Sequence, residues 1–448
     1  MTQTPQQLVQ ALIKAARTAG ADAADAVATA GTSLSIDVRD QRLETAQRSE
    51  GTDLGLRVFV GKRSAIVASS DTSDSTLADM AERAVFMARE APEDPYSGLA
   101  DPDQLANDRD SAALELADPA DEPDPASLEA VAREGEAAAL AVDGISQVES
   151  SSAAYGRYDV AIAATNGFAG HVGRTSWSRS VVAIAGTGMD MERDYDADGR
   201  TFGADLRSAD EIGRTAAART IERMNARKPQ TGHYPVLFDE RISSSLIGHL
   251  LAACNGAAVA RGQSWLKDAV GESVLPKGLS VLEDPLIPRR SGSRVFDGEG
   301  LPTRARKIVD DGQLTGFTLD LASARKLDLT STGNAARGTS GNPSPSNWNI
   351  ALTQGDKTRE ELIRDMGTGF LVTSMIGATI NPNTGDYSRG AAGFWVENGV
   401  LAYPVNECTI AGSLREMLGS LIPANDARPW LSRVVPSLLV EGMTLAGE

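Results

Sequence analysis

The chain holds two cysteines and three histidines in 448 residues, and these shortages remove several familiar chemistries at once. Cys254 and Cys408 stand alone, without a CxxC pair or a histidine near them in sequence. That excludes a disulfide framework or a zinc ribbon and leaves both as small core residues. An all-histidine metal site would need His171, His233 and His249 together, every imidazole in the protein. No serine sits in G-x-S-x-G, no Walker A loop is present, and no G-x-G-x-x-G follows a strand-like run. A nucleophile assembled from residues far apart in sequence is the chemistry these absences leave open. Basic residues are also short, 43 against 61 acids for a net charge of −18. Binding a phosphate backbone requires clustered Lys and Arg that displace counterions, so direct nucleic-acid contact is not expected. No run approaches 18 apolar residues, and the first residues lack the basic flank and apolar core of a leader. The expectation is a cytoplasmic protein without a membrane partner.

What is present reads as α+β. A chain of 448 residues exceeds the size at which one core stops growing, so two domains are expected. A 41% hydrophobic and 23% charged composition is that of a folded chain. Thr4-Pro5 ahead of Leu8, Leu12, Ile13 and Ala16, with Gly20 behind, predicts a capped first helix. From 24 to 70 the apolar period changes to two, with a turn at Gly61, which predicts an antiparallel meander. Helix returns over 74–91. Residues 93–136 carry 14 acids and two bases among several prolines, which predicts a solvated connector near 92–125. Helices over 125–142 and 208–227 flank another set of alternating strands. Helix, strands, helix, then the same again suggests a duplicated unit. The turn-rich stretch Lys228-Pro-Gln-Thr-Gly232 divides an N-terminal domain, 1–228, from a mostly β domain, 229–448, with one central buried helix.

That helix is the stretch 239–254, whose Ile242, Leu246, Leu250 and Ala253 recur at helical spacing and bracket His249. Further on, residues 333–349 form a polar loop too long and irregular for a simple connection, and loops of that kind often carry function.

Several motifs together resemble one family. They are Thr332-Gly-Asn334, Ile380-Asn-Pro-Asn-Thr-Gly-Asp-Tyr387, Gly393-Phe-Trp-Val-Glu-Asn-Gly399 and Pro404-Val-Asn-Glu-Cys-Thr-Ile-Ala-Gly412, with Leu43-Glu-Thr-Ala and Gly55-Leu-Arg-Val-Phe near the N-terminus. The chain is similar in them to the TldD/PmbA family. The resemblance implies an intracellular two-domain protein of a paired peptidase that acts on peptides and partly unfolded chains. In that family the TldD-type subunit carries His-Glu-x-x-x-His on a helix and a later cysteine, which hold zinc, whereas the PmbA-type (TldE-type) subunit carries neither. If His249 closes the motif, Ser244 and Ser245 stand where the first histidine and the glutamate belong. Serine is a poor zinc ligand and a poor base near neutral pH. After Gly412 no cysteine follows, and Cys408 precedes the segment where one is needed. The resemblance therefore implies a subunit with no catalytic residue, no metal and no cofactor. Its partner would be a zinc-bearing TldD-like homologue or a second copy, and its ligands peptides. Asn334, Arg337 and Asn347 of the 333–349 loop are the expected chamber-facing residues. The alternatives are a regulatory protein-binding module of the gyrase-modulator kind and an independent metal-free hydrolase.

Overall fold

The computed structural model describes residues 3–447, and residues 1, 2 and 448 lie outside it. The first helix, α1 (Pro5–Thr18), opens with a reciprocal cap in which the Thr4 hydroxyl accepts from the Gln7 amide and the Gln7 side chain accepts from the Thr4 amide. Its inward face buries Leu8, Val9, Leu12, Ile13 and Ala16. There follow β1 (Ala23–Arg39), β2 (Arg42–Val60), β3 (Arg63–Ser69) and α2 (Asp74–Glu90). The same order then repeats as α3 (Pro125–Leu140), β4 (Ile145–Ala164), β5 (Ala169–Ala185), β6 (Glu192–Arg200) and α4 (Ala209–Glu222). The two meanders join through antiparallel β1 and β4 into one six-stranded sheet ordered β3-β2-β1-β4-β5-β6. A lone meander would leave its first strand as an open edge, and joining the two removes both. The duplicated unit expected from the element order is thus a structural repeat.

The sheet has distinct faces. Ala24, Ala26 and Ala28 of β1 pack beneath α1 and α2, and Leu34, Ile36 and Val38 of the same strand meet Leu128 and Ala132 of α3. On the opposite face Val27, Ile162, Phe168 and Val172 pack with Ala106, Leu114, Leu116 and Phe296. Ala106, Leu114 and Leu116 belong to the acidic segment, so it is more than a solvated connector. Buried Asp118 accepts from the Gly203 amide at 2.9 Å, which ties that segment to the end of β6. The meander expected over 24–70 is built of long strands, 17 residues in β1 and 19 in β2. Residues 42–51 of β2 are exposed throughout, and there the apolar alternation fades although the strand continues.

In the second domain, β7 (Gly232–Phe238) pairs in parallel with Gly369–Ile380 and antiparallel with Leu438–Ala446. Asp386–Glu397 and Val400–Ser413 continue the order, and Val400–Ser413 pairs with Leu438–Ala446 to close a barrel. The helix α5 (Glu240–Ala253) follows β7 directly and is capped by Asp239, a cap typically contributing about 1 kcal/mol. Leu246, Ile247, Leu250 and Leu251 of α5 enter one core with Val236, Phe238, Phe370, Val372 and Tyr387 of the barrel. Leu246 and Leu250 are fully buried, each stabilising the fold by about 1.5–3 kcal/mol. A second sheet contains Val281–Glu283, Arg306–Asp310 and Ile350–Leu352. The architecture is the expected α+β, with α5 as the buried helix and four shorter helices, Gly256–Ala260, Leu321–Lys326, Arg359–Met366 and Leu414–Gly419, around it. Among the described residues no helix is long and apolar enough to cross a membrane.

Candidate functional site

The entry of α5 is fixed by charge. The Asp239 carboxylate accepts from the Arg241 amide and side chain, both at 3.1 Å, and from Arg359 at 2.9 Å. Arg241 also reaches Asp194 of β6 at 3.0 Å, across the boundary between domains. Burial works against ionised Asp239, but the charges of Arg241 and Arg359 and the backbone donor outweigh it and hold the carboxyl below its ordinary range. Beside it Glu240 pairs with Arg428 at 2.5 Å. Burial dominates there and pushes the carboxyl up, against the pull of Arg428.

The middle of the helix is different. The Ser245 hydroxyl donates to the Ile242 carbonyl at 2.7 Å, a local bond that occupies it. His249 lies half-buried with its ring edge-on to Tyr387, centroids 5.7 Å apart at 72°. Its Nε2 is shielded from solvent and has no hydrogen-bond partner among the described residues. Burial, and then the charge of Arg389, lower the imidazole below its ordinary value, so the ring is held neutral. Burial pushes the Tyr387 phenol up to about 12. The Cys408 thiol donates to the Ala391 carbonyl at 3.1 Å and is likewise pushed up to about 12, far from the thiolate that a metal would need. The other imidazoles are elsewhere: His171 bonds Asp159 at 3.0 Å within the N-terminal sheet, and His233 meets Thr444 at 3.4 Å on the barrel. Among the described residues no group of three or more His, Cys, Asp or Glu side chains could hold a metal ion. A zinc ion therefore does not fit the three motif positions of α5, which offer one imidazole, His249, and the two hydroxyls of Ser244 and Ser245.

The 333–349 loop exposes Gly338, Ser340, Gly341 and Asn342, while the side chains of Asn334, Arg337 and Asn347 are engaged by partners within the protein. The Arg337 side chain, 1% exposed, pairs with Asp25 of β1 at 2.5 Å and donates to the Gly341 carbonyl at 3.0 Å. Asp25 also pairs with Arg57, its cross-strand neighbour on β2. Gly55 of β2 admits the loop, since a Cβ there would stand 2.1 Å from the Thr339 carbonyl oxygen. The Asn334 and Asn347 amides donate to the Glu283 carboxylate at 3.0 and 3.2 Å. That buried carboxylate also takes the Trp348 amide at 2.7 Å and Arg306 at 2.7 Å. These three residues therefore fasten the loop, Arg337 to the N-terminal sheet and the two asparagines to the second sheet. Of these, only the Arg337 pair reaches across to the N-terminal domain, while the two asparagines bind within the second domain.

Sequence reasoning missed β6 and its charges. Asp194, Asp196 and Asp198 alternate along it, all buried, facing Arg223 and Arg241, Arg207 and Arg219, and Arg200 respectively. Alternating carboxylates look like a loop to a hydrophobicity pattern, and only the period of two signals the strand. Missed too was a cleft of about 520 Å³ between the domains, lined by Trp177, Arg200, Arg290 and Trp430 from four separate stretches.

Family models described as PmbA/TldA metallopeptidase domain 1, central domain and C-terminal domain match residues 24–88, 118–224 and 231–447. They thus divide the N-terminal part at the acidic segment, between the two halves of the repeat. The metalloprotease PmbA of Escherichia coli O157:H7 is 36% identical over 430 residues, 95% of this chain and 93% of that one. The metalloprotease PmbA homolog of Haemophilus influenzae is 34% identical, over 98% and 96% of the two chains. Among solved structures, a candidate modulator of DNA gyrase from Bacteroides thetaiotaomicron superposes with a TM-score of 0.90 at 28% identity, covering 99% of each chain. TldE from Thermococcus kodakarensis shares the fold with a TM-score of 0.85 at 20% identity, covering 98% of this chain and 100% of its own.

Proposed function

The chain belongs to the PmbA/TldD metallopeptidase family, and from that membership we propose that it is a metal-free, non-catalytic subunit of a TldD/TldE-type complex that processes peptides and unfolded polypeptides. The observation that carries this reading is the middle of α5, where His249 packs on Tyr387 with its Nε2 unbonded among the described residues and Cys408 is a buried thiol bonded to a carbonyl. A catalytic zinc needs about three protein ligands and a base for its water, and neither requirement is met there. The partner is a zinc-bearing homologue, with a second copy of this chain as the substitute when that homologue is absent. The exposed half of β2 supports a role in holding extended peptides. Residues 42–53 pair with β1 on one side only, because β3 begins its pairing at Leu54, and a strand edge of this kind can accept a peptide backbone.

The test is zinc titration and peptidase assay of the purified chain, alone and with a homologue that carries the intact histidine-glutamate motif. The expected result is no stoichiometric zinc and no hydrolysis alone, with a stable, chelator-sensitive peptidase after mixing. Stoichiometric zinc with hydrolysis by the isolated chain would sink the proposal. The gyrase description of the Bacteroides structure favours a second reading, a regulatory binding module. Capture of purified gyrase by this chain, with no homologue present, is the outcome that would support it.

A further inference from the structure

We propose that the cleft between the end of β6 and the segment around Trp430 binds an oxyanion carried on a flat apolar body, with Arg200 and Arg290 taking the charge and Trp177 and Trp430 the body. The cleft encloses about 520 Å³ and is formed by residues apart from those of the α5 site. Its charges are unevenly satisfied. Arg289 is paired with Glu115 at 2.5 Å and Asp205 at 3.3 Å, whereas the adjacent Arg290 side chain makes no ion pair or hydrogen bond among the described residues, and its Nε is shielded from water. Arg200 uses its Nε on both oxygens of Asp198, each at 3.0 Å, and lies 4.4 Å from the centroid of the Trp430 ring. Its terminal nitrogens are left for another acceptor.

The indole of Trp177 adds a second orphan. Its Nε1 is buried without a partner, although the ring is held in place. Tyr155 packs against it at 4.7 Å, and Gly203 sits so close that a Cβ there would stand 3.1 Å from the indole. A guanidinium cannot shed its charge, and a buried donor without an acceptor destabilises the chain that carries it. Two such donors beside a second guanidinium, in a protein of net charge −18, mark a place where an acceptor is missing. Burial and then the charge of Arg200 lower Arg290's affinity for its proton, a penalty that a bound anion relieves. The planar fork of arginine matches the two oxygens of a carboxylate or phosphate, and the indoles offer a face to an attached ring. The oxyanion can come from a peptide carboxyl terminus or from a phosphate ester.

The experiment follows tryptophan fluorescence and heat of binding on the full chain during titration with three probes: a short peptide acid ending in phenylalanine, its C-terminal amide, and inorganic phosphate. Saturable quenching by the acid, with at least about ten-fold weaker binding of the amide, is expected for a carboxyl-terminus site. Saturation by phosphate without the acid also supports the oxyanion site and assigns its source to phosphate. Arg290→Gln should weaken whichever probe binds by about ten-fold or more, while Arg290→Lys keeps part of the affinity and guards against a folding defect. No saturation by acid or phosphate, equal binding of acid and amide without phosphate binding, or unchanged affinity in Arg290→Gln each overturns the proposal.

Discussion

The first turn of α5 and its middle are opposite in how their polar groups are partnered. Asp239 and Arg241 are saturated, each buried charge meeting at least two partners from other elements or from the cap. One turn later, Ser245 bonds only its own backbone and His249 has an Nε2 with no partner among the described residues. A helix that had to hold reacting groups in exact geometry would show locked side chains in the middle. Here the locking is at the entrance, and what it secures is the position of the helix between β6 and the barrel. The contrast is that of an element fixed by charge at its entrance and by apolar packing along its length.

The largest effect that would sharpen the contrast is expected from Arg241→Ala. The substitution strips one arginine from buried Asp194 and Asp239, leaving them with Arg223 at 3.7 Å and Arg359 at 2.9 Å. Removing one partner of a buried pair costs about 3–5 kcal/mol, and the remaining arginines place this case near 3. Urea unfolding measures it, and a loss under about 1 kcal/mol would mean that the entrance is not locked by charge. Arg337→Ala comes next. Asp25 keeps Arg57, so a loss of about 1–3 kcal/mol is expected. If Arg337→Ala instead spared stability but lowered peptide binding in the assembled complex, the 333–349 loop would face a ligand after all.

The same contrast explains what could be read from the sequence. The helices read from the sequence came through because their caps are local: Thr4 with Gln7 and Asp239 ahead of α5 are each settled within a few residues. The repeat came through from element order, although the pairing of β1 with β4 did not, since nothing in either strand names its neighbour. Ser244, Ser245 and His249 fall on the helix expected for them because the apolar spacing of Ile242, Leu246 and Leu250 around them is local. Arg337, Asn334 and Asn347 were put in a loop, but their partners Asp25 and Glu283 could not be read because they are distant in sequence. Asp194, Asp196 and Asp198 went unread because a carboxylate is buried only when an arginine from elsewhere meets it.

A smaller effect should come from the His249 ring itself. Its value is lowered by burial and by Arg389, and the groups facing it are Tyr387 and Arg389. The unfolded chain therefore takes up the proton first on acidification. The stability tied to the neutral ring is complete above the ordinary histidine value of about 6.5 and is lost as pH falls through the lower folded value. Urea midpoints at about pH 7.5 and pH 5 should converge in His249→Leu relative to the parent, since the other titrating groups are common to both. An unchanged drop in the variant would show that the ring is solvated and that the middle of the helix is less dry than its packing indicates.

The smallest expected effect is also the sharpest test of the middle of α5. The double substitution Ser244→His with Ser245→Glu places a histidine and a glutamate where the family resemblance would put them, and we expect neither tight zinc nor hydrolysis from it. Positions five apart on a regular helix are turned by roughly 140°, so imidazoles at 244 and 249 converge only on a locally distorted helix. α5 is continuous from Glu240 to Ala253, and Leu246, Ile247 and Leu250 hold that regularity in the core. A third ligand is wanting as well, because the Cys408 thiol is bound to the Ala391 carbonyl and its proton is held to about 12. Equilibrium dialysis against zinc and a peptidase assay with and without chelator check the outcome. Chelator-sensitive hydrolysis by the double variant would show that two side chains are all that separates this helix from a catalytic one, and the difference between its two regions would then be one of residues alone, with no part played by backbone geometry.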